Sequence, residues 1–235
     1  MPVFYTKQIS GDQAFLGEEE SRHVVRVLRL KKDDALEFVD GLGMRYQSIV
    51  TDPNPARTKL RILETHKDHL SREFKLHIGI APTKSTDRFE WFLEKATEIG
   101  IEEITPISCD HSERNKLRYD RSEKILISAM KQSGRAFLPR LNPMVTIGEF
   151  LDQTNADIKY IAHCRTTRGE LPEKPMKRNL SWTILIGPEG DFSEEEVVSA
   201  KDRGYQEISL GEAIYRTETA GIIACQLVSF LNHDI

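Results

Sequence analysis

Residues 183–193 contain the residue types that point most directly to ligand binding. An apolar run, Thr-Ile-Leu-Ile, is followed by Gly187-Pro188-Glu189-Gly190 and then by the start of a helix. Glycine lets a backbone approach a ligand closely or adopt positive φ, and ligands of open α/β sheets bind where strands end. The spacing is Gly-x-x-Gly, and the chain contains neither Gly-x-Gly-x-x-Gly nor a Walker A sequence. The stretch therefore predicts either a ligand loop unrelated to dinucleotide binding or an ordinary strand-to-helix turn.

A second stretch with chemical potential covers residues 210–220, where a predicted strand ends at Gly211 and a loop leads into an apolar helix. Free backbone amides at a helix start can hold a carboxylate or the polar edge of a ligand. Arg216 and Glu218 stand beside this helix and are candidates for charge stabilisation and proton transfer. Alternatively, Glu218 complements the helix dipole and pairs with Arg216.

Basic residues concentrate in two stretches, although the chain as a whole carries a net charge of -4. Residues 21–32 contain five basic residues and no acid, with Arg22, Arg26 and Arg29 at helical spacing, and residues 111–140 form the second stretch. Such runs are often solvated faces. Two of them in one acidic chain favour an anionic polymer as a partner, because phosphates are neutralised locally.

Alternating strand and helix patterns must position these residues from about residue 74 onward. Strands are predicted at 74–80, 103–107, 158–164, 183–186 and 208–210, and helices at 87–99, 119–132, 194–203 and 218–231. Ser193 and Glu196 form a capping-box pattern with Gly204 as the stop, and Thr217 is the expected N-cap of the last helix. Strands that alternate with helices indicate an α/β domain with a mostly parallel sheet.

Residues 1–70 show short strand patterns separated by turns, which predict a small β-barrel or sandwich. Short strands are expected at 3–6, 35–39, 45–50 and 59–63, with a helix at 19–28. The charged segment 66–73 is the candidate linker. The chain is thus predicted to hold two domains, 1–70 and 74–235.

Composition excludes several broad classes of protein. With 235 residues, 39% hydrophobic and 30% charged, the chain can form a real core and is not disordered. It lacks an apolar run of membrane-span length, and its first residues lack the layout of a signal peptide. Cys109, Cys164 and Cys225 are few and far apart, which favours a cytoplasmic protein without disulfides. No zinc signature accompanies His66 and His69, so no metal is expected. Because no apolar run is long enough, no membrane is expected as a partner either.

Several motifs in order resemble the ribosomal RNA small subunit methyltransferase E family, which belongs to the SPOUT (trefoil-knot) class. The matching segments are Leu-Ile-Gly-Pro-Glu-Gly-x-Phe-Ser-x-x-Glu at 185–196, Leu-Gly-x-x-Ile-x-Arg-Thr-Glu-Thr-Ala at 210–220, His-Val-Val-Arg-Val-Leu-Arg-Leu at 23–30, Asp-Arg-Phe-Glu-Trp at 87–91, Lys-Ala-Thr-Glu-Ile-Gly at 95–100, Ser-Glu-Arg at 112–114, and Gln-Ser-Gly-Arg at 132–135 with Pro139. The resemblance implies a PUA-like RNA-binding β-barrel followed by an α/β methyltransferase domain with a C-terminal trefoil knot. It also implies a homodimer that uses S-adenosylmethionine to methylate N3 of a uridine in 16S ribosomal RNA, near the decoding centre of the small subunit.

The resemblance, together with the chemistry above, assigns expected roles to individual residues. Arg216, Glu218 and Arg114 are the expected catalytic residues, with Glu218 as base and Arg114 acting from the partner subunit. Expected to contact the cofactor are His163, Leu185, Ile186, Gly187, Pro188, Glu189, Gly190, Leu210, Gly211, Ile214, Tyr215, Thr217, Thr219 and Ala220, in loops that include residues 162–165. Expected to bind RNA phosphates are Arg22, Arg26, Arg29, Lys84, Arg88 and Arg135.

The chain departs from the usual family sequence in three places. Asp191 replaces the second of two paired glycines, and Glu212, Ala213 and Tyr215 replace Pro, Arg and Leu. The Lys84–Arg88 run is one residue longer than usual. The change at Ala213 removes a cationic side chain but leaves the backbone amides in place.

Two other functions fit the same scaffold. One is methylation of a ribose 2′-hydroxyl, which mass spectrometry of digested nucleosides distinguishes from base methylation. The other is a non-catalytic RNA-binding factor for ribosome assembly, which need not bind S-adenosylmethionine. A nucleotide-dependent oxidoreductase is disfavoured by the missing glycine fingerprint.

Overall fold

The computed structural model describes residues 3–70, 72–164, 172, 175 and 179–232, and the chain divides into two compact units. The N-terminal unit comprises residues 1–71 and 127–138, and the C-terminal unit comprises residues 72–126 and 139–235. We expected the second domain to hold all of residues 74–235. Instead, residues 127–138 group with the N-terminal unit, because the buried side chains of Met130 and Ala136 pack against Val39.

The N-terminal unit contains a six-stranded sheet in the described part of the chain. Its strands are β1 (Phe4–Tyr5), β2 (Gln8–Ser10), β3 (Gln13–Phe15), β4 (Ala35–Val39), β5 (Met44–Asp52) and β6 (Lys59–Lys67). The order is β1-β4-β5-β6-β3-β2, and every pair is antiparallel except β1 with β4. The four predicted strands are present. The β2–β3 hairpin escaped prediction because its strands are short and polar, and Gly11 makes its turn at a φ of 59°.

The expected helix at 19–28 is two short segments of different winding. Helix α1 (Glu18–Arg22) leads into a π-helical segment (His23–Val27), and Arg29 lies beyond both at a φ of 56°. The prediction that Arg22, Arg26 and Arg29 share one helical stripe is therefore wrong, because the winding changes at His23 and the helix has ended before Arg29.

The expected linker at 66–73 is wrong at its start. Strand β6 continues through Lys67, and the next residue, Asp68, is buried. Its carboxylate accepts a hydrogen bond from the Ala136 amide at 2.7 Å and lies 3.5 Å from the Arg45 guanidinium. These residues therefore belong to the core of the N-terminal unit.

The C-terminal unit is built on a parallel sheet of seven strands within the described residues. These are β7 (Lys75–Ile80), β8 (Glu103–Ser108), β9 (Arg140–Leu141), β10 (Val145–Thr146), β11 (Ile158–Ala162), β12 (Ser181–Ile186) and β13 (Gln206–Ile208). The main order is β10-β8-β7-β12-β11-β13, with β9 also paired to β8. Strands β7 and β12 lie side by side at the centre, in register from Lys75 with Ser181 to Ile80 with Ile186.

Helices cover both faces of this sheet, which is why β12 is buried from Trp182 to Ile186 rather than at alternate residues. The helices of the second half of the chain are α2 (Thr86–Ile99), α3 (Tyr119–Gln132), α4 (Ile147–Gln153), α5 (Glu194–Asp202) and α6 (Thr217–Asn232). Phe150 of α4 packs with Leu185 and residues of α5 in one cluster. On α6, Gly221 faces Phe92 of α2 and Ile80 of β7 so closely that an added Cβ would lie 2.6 Å from Phe92.

Local signals predicted most of these elements correctly. The α3 bounds and the Ser193–Glu196 capping box are confirmed. Helix α4 was missed, although Thr146 and Glu149 form a capping box at its start. Thr217 is the first residue of α6 rather than its N-cap, because its hydroxyl makes a different hydrogen bond, described below.

None of the helices in the described ranges combines the length and apolar character that a membrane span requires. Within those same ranges, no three His, Cys, Asp or Glu side chains are grouped so that they could hold a metal ion. His66 is instead paired with Glu64, and His69 lies 3.5 Å from Asp68.

Candidate functional site

Three loops at the carboxyl edge of the parallel sheet surround one cavity of about 580 Å³. They follow β11, β12 and β13, and the start of α6 completes the wall. The cavity is lined by Ala162, His163, Cys164, Ile186, Gly187, Pro188, Asp191, Ile208, Ser209, Leu210, Gly211, Glu212, Ala213, Ile214, Tyr215, Thr217 and Ala220. Such an edge is where ligands of open α/β sheets bind, so this cavity is the candidate site.

The two glycine-bearing bends come together as the sequence predicts. The Thr217 hydroxyl donates a hydrogen bond to the Gly187 carbonyl at 2.9 Å, which ties the start of α6 to the loop after β12. Gly211 lies against the Tyr215 ring, and a Cβ at this position would be 2.6 Å from the Tyr215 hydroxyl. The space between the bends is open rather than filled by side chains.

Asp191 connects two walls of the cavity. It adopts a φ of 63°, in the left-handed region that favours glycine and that Asp tolerates better than most residues. Its carboxylate accepts hydrogen bonds from the amides of Cys164, at 3.0 Å, and Phe192, at 2.9 Å. His111 Nδ1 lies 3.0 Å from the carbonyl oxygens of both Gly190 and Asp191, so the backbone of this loop is held as well.

Ten of the fourteen residues expected at the cofactor line the cavity, namely His163, Ile186, Gly187, Pro188, Leu210, Gly211, Ile214, Tyr215, Thr217 and Ala220. Leu185 does not, because alternate residues of a strand face opposite ways and its side chain packs towards α4 and α5. Glu189 instead accepts a hydrogen bond from the Lys84 amide at 3.0 Å, and Gly190 packs against His111. Thr219 also lies outside the lining, and Arg165 lies outside the described residues.

Sequence reasoning assigned no individual contact to Cys164 or Glu212, although both lie in the expected cofactor loops, and it missed Asp191 as a lining residue. The signal that could have found them is position, because all three lie in loops at the carboxyl ends of neighbouring parallel strands. Partial burial, and then the Asp191 carboxylate, raise the pKa of the Cys164 thiol above its usual value.

The three expected catalytic residues surround the site without lining the cavity. Arg216 is exposed, and Glu218 is buried with its carboxylate 3.9 Å from Nε of Arg88. Arg114 donates hydrogen bonds to the carbonyls of Thr83, at 3.0 Å, and Lys84, at 2.6 Å. These two hydrogen bonds hold the loop between β7 and α2 in place.

The expected phosphate-binding residues differ in whether their cationic groups are already paired with other groups of the protein. Arg22 pairs with Glu18, while Arg26 and Arg29 are exposed. Lys84 pairs with Glu113 at 2.7 Å, and this hydrogen bond raises the pKa of the lysine. Arg135 donates to the Leu70 carbonyl at 3.5 Å.

Comparison with known protein families matches both halves of the chain. Residues 71–229 match the RNA methyltransferase domain family, and residues 16–63 match the RNA methyltransferase PUA domain. The ribosomal RNA small subunit methyltransferase E of Mesomycoplasma hyopneumoniae is 33% identical over 175 residues, which cover 72% of this chain and 75% of that protein.

Solved structures match over almost the entire chain. The probable rRNA-methyltransferase of Porphyromonas gingivalis has a TM-score of 0.87 and 36% identity, covering 99% of this chain and 98% of that one. The ribosomal RNA small subunit methyltransferase E of Neisseria gonorrhoeae, bound to S-adenosylmethionine, has a TM-score of 0.84 and 27% identity, covering 98% of each chain. With an RNA methyltransferase domain over most of its length, a PUA domain before it and these relatives, the chain belongs to the ribosomal RNA small subunit methyltransferase E family.

Proposed function

We propose that this protein transfers a methyl group from S-adenosylmethionine to N3 of a uridine in 16S ribosomal RNA. The observation that carries the proposal is the open cavity between three strand-end loops, in a chain that belongs to an RNA methyltransferase family. The related Neisseria gonorrhoeae protein was solved with S-adenosylmethionine bound, which supports the same cofactor for this chain.

The residues present fit this cofactor. A cavity of about 580 Å³ lies within the usual range for nucleotide-sized ligands, roughly 300–1,000 Å³. Ile186, Leu210 and Ile214 provide apolar walls for an adenine, and the backbones of Gly187 and Gly211 lie in the same lining. Ile214 is 83% exposed without a ligand, which is costly for an apolar side chain and is relieved when a ligand covers it. When bound, the cofactor supplies an electrophilic methyl group on a sulfonium.

The protein's own task is to align the uridine and to remove its N3 proton, because protonated N3 is a poor nucleophile. We assign proton removal to Glu218 and stabilisation of the uridine anion, through O2 or O4, to Arg216. In the structure Glu218 is buried beside Arg88, so a shift of Arg88 towards RNA would free the carboxylate. Arg114 is assigned a supporting role from the partner subunit.

The active unit is proposed to be a homodimer, with the chain of the C-terminal unit tied in a trefoil knot. Two exposed aromatic side chains on the C-terminal unit support a surface for the second copy of the chain. Phe230 on α6 is 64% exposed and Trp91 on α2 is 43% exposed, on two helices that pack against each other. The bond from Thr217 to the Gly187 loop is in keeping with a C-terminal helix that is threaded close to the cofactor loops.

RNA is proposed to bind through the PUA domain and the basic residues of the C-terminal unit. Arg26 and Arg29 present exposed cations, Lys84 lies in the loop before α2, and Arg88 lies in the first turn of α2. Charge reversal of Arg26 and Arg29 should weaken RNA binding and reduce the dependence of the affinity on salt. Because the proposed substrate is ribosomal RNA, we expect the protein to act in the cytosol.

The decisive experiment uses small ribosomal subunits from a strain that lacks this gene. The purified protein is incubated with these subunits and labelled S-adenosylmethionine, and the product nucleoside is identified by mass spectrometry. We expect N3-methyluridine at one position. A 2′-O-methylated nucleoside would replace the proposed reaction with ribose methylation, and failure to bind the cofactor would favour a non-catalytic RNA-binding factor.

Single-turnover rates then test the assigned residues. Arg216→Ala and Glu218→Gln should each lower the rate by roughly 10²–10⁴-fold, the usual contribution of acid–base or charge-stabilising groups. Glu195→Gln, a matched change at an exposed position of α5 outside the cavity lining, should leave the rate unchanged. A full rate in either of the first two variants would remove that residue from the mechanism.

A further inference from the structure

The cavity has a marked imbalance of charge. Among the described residues that line it, Asp191 and Glu212 carry carboxylates, and no lysine or arginine is present. His163 also lines the cavity, but its Nε2 lies 3.4 Å from the carboxylate of Glu207. The acidic side chains in this part of the lining are therefore not matched by a lysine or arginine among the described lining residues.

The Asp191 carboxylate is held in place by the loops around the cavity. Its two carboxylate oxygens are held by amides from different loops, those of Cys164 and Phe192. Its backbone is held through His111, and the left-handed φ restricts the residue further. A charge that is fixed before the ligand arrives acts on that ligand without a cost of reorganisation. Glu212, by contrast, is exposed at the rim.

The proposed methyl donor and its product differ by one unit of charge. S-adenosylmethionine has a positive sulfonium besides its amino and carboxylate groups. During transfer the bond between sulfur and the methyl carbon breaks, its electron pair stays on sulfur, and the carbon bonds to N3 after the N3 proton has left to a base. The product, S-adenosylhomocysteine, is therefore a neutral thioether with otherwise the same atoms.

Resting on the proposed function, we infer that Asp191 and Glu212 make the cavity selective for the cationic methyl donor over its neutral product. The two carboxylates attract the donor more strongly than the product, whatever contacts both ligands share. The same preference helps the product to leave after transfer, because the attraction disappears with the sulfonium charge. Asp191 and Glu212 are thus specificity-determining residues of the cofactor site.

The size of the effect follows from Coulomb's law. Attraction between partly solvated opposite charges changes affinity by up to roughly five-fold. Part of the Glu212 contribution is screened by salt because the residue is exposed. We therefore expect about a five-fold effect from Asp191 and about a two-fold effect from Glu212.

Isothermal titration calorimetry of the full-length protein with each ligand in turn tests the inference. The proteins compared are the wild type, Asp191→Asn, Glu212→Gln and, as a matched control, Glu123→Gln on the exposed face of α3. Asparagine keeps the size of Asp191 and also tolerates a left-handed φ, but its NH2 group replaces one of the two accepting oxygens. The quantity compared is therefore the ratio of the affinities for the two ligands, since a loosened loop affects both. In both cavity variants we expect the affinity for S-adenosylmethionine, relative to that for S-adenosylhomocysteine, to fall by the factors above. The Glu123→Gln control should match the wild type for both ligands.

Three results would overturn the inference. If the ratio of the two affinities is the same in all four proteins, the carboxylates do not select for charge. If a variant loses affinity for both ligands equally, the residue only supports the loop. If neither ligand binds the wild-type protein, the proposed function itself is wrong, whereas the first two results leave it standing.

Discussion

Replacement of Thr217 by valine should weaken both the fold and the cofactor site, because one hydrogen bond serves both. The Thr217 side chain is buried, and its hydroxyl donates to the Gly187 carbonyl at 2.9 Å across 30 residues of chain. Valine keeps the volume, so no cavity forms, but it leaves the buried carbonyl unpaired. A buried unpaired polar group costs about 1–3 kcal/mol, so the free energy of unfolding should fall by that amount.

The consequence for binding can be measured separately. In the variant the loop after β12 is less restrained before the ligand arrives, and each 1.4 kcal/mol spent on ordering it lowers affinity about tenfold. Urea unfolding and calorimetry with S-adenosylmethionine should be run on the wild type, Thr217→Val and Thr217→Ser, which keeps the hydroxyl. We expect Thr217→Ser to bind like the wild type. Wild-type stability and affinity in Thr217→Val would refute the idea that this bond holds the two loops together.

Three further predictions concern packing, pH and thiol chemistry. Gly221→Ala should lower the free energy of unfolding by about 1–3 kcal/mol, because the added Cβ would lie 2.6 Å from Phe92. Gly148→Ala, where a Cβ would have nothing within 4 Å, should not destabilise the protein. Equal urea midpoints for the two variants would contradict this prediction. Burial lowers the pKa of His77 to about 4 from its ordinary 6.5, so the unfolded chain binds a proton first as pH falls. Stability should therefore decrease between about pH 6.5 and pH 4, by at most about 1.4 kcal/mol per pH unit, and an unchanged pH profile of urea midpoints in His77→Gln would be evidence against this assignment. A thiol reagent should modify Cys164, which is exposed, while the buried Cys109 and Cys225, both with raised pKa, stay unmodified in the folded protein. Bound S-adenosylmethionine should slow this labelling, and mass spectrometry that finds the label elsewhere, or no protection, would count against the cavity as the cofactor site.

Features set by local chemistry were predictable from the sequence. The Ser193–Glu196 capping box and the stop at Gly204, which has a φ of 84°, involve residues only a few positions apart. The meeting of the two glycine-bearing bends was also predictable, because parallel strands end at the same edge of a sheet. The capping rules require no knowledge of the rest of the fold, and the meeting of the bends requires only that the sheet is parallel.

Features set by distant partners were not predictable. Thr217 has the residue type of an N-cap, but its hydroxyl finds a carbonyl 30 residues away. Residues 127–132 continue the amphipathic pattern of α3, and only the packing of Met130 and Ala136 on Val39 places residues 127–138 with the N-terminal unit. The change to π-helical winding at His23, which breaks the arginine stripe, left no recognisable signal in the sequence.

Asp191 shows how a departure from a familiar motif acquires meaning from structure. In the sequence it is a substitution for glycine, and its positive φ explains why glycine suits this position. Its hydrogen bonds to the amides of Cys164 and Phe192 are visible only when the ends of β11 and β12 are brought together.

The central position of β12 also has a consequence for how the protein is made. Its partner β7 precedes it by more than one hundred residues, so the middle of the sheet stays open until the ribosome has delivered both. Contacts between such distant segments slow folding and leave strand edges exposed in the meantime. The cavity is lined by residues between Ala162 and Ala220, so it cannot be complete before most of the chain has been synthesised. A ligand that binds only the folded cavity then stabilises the finished topology.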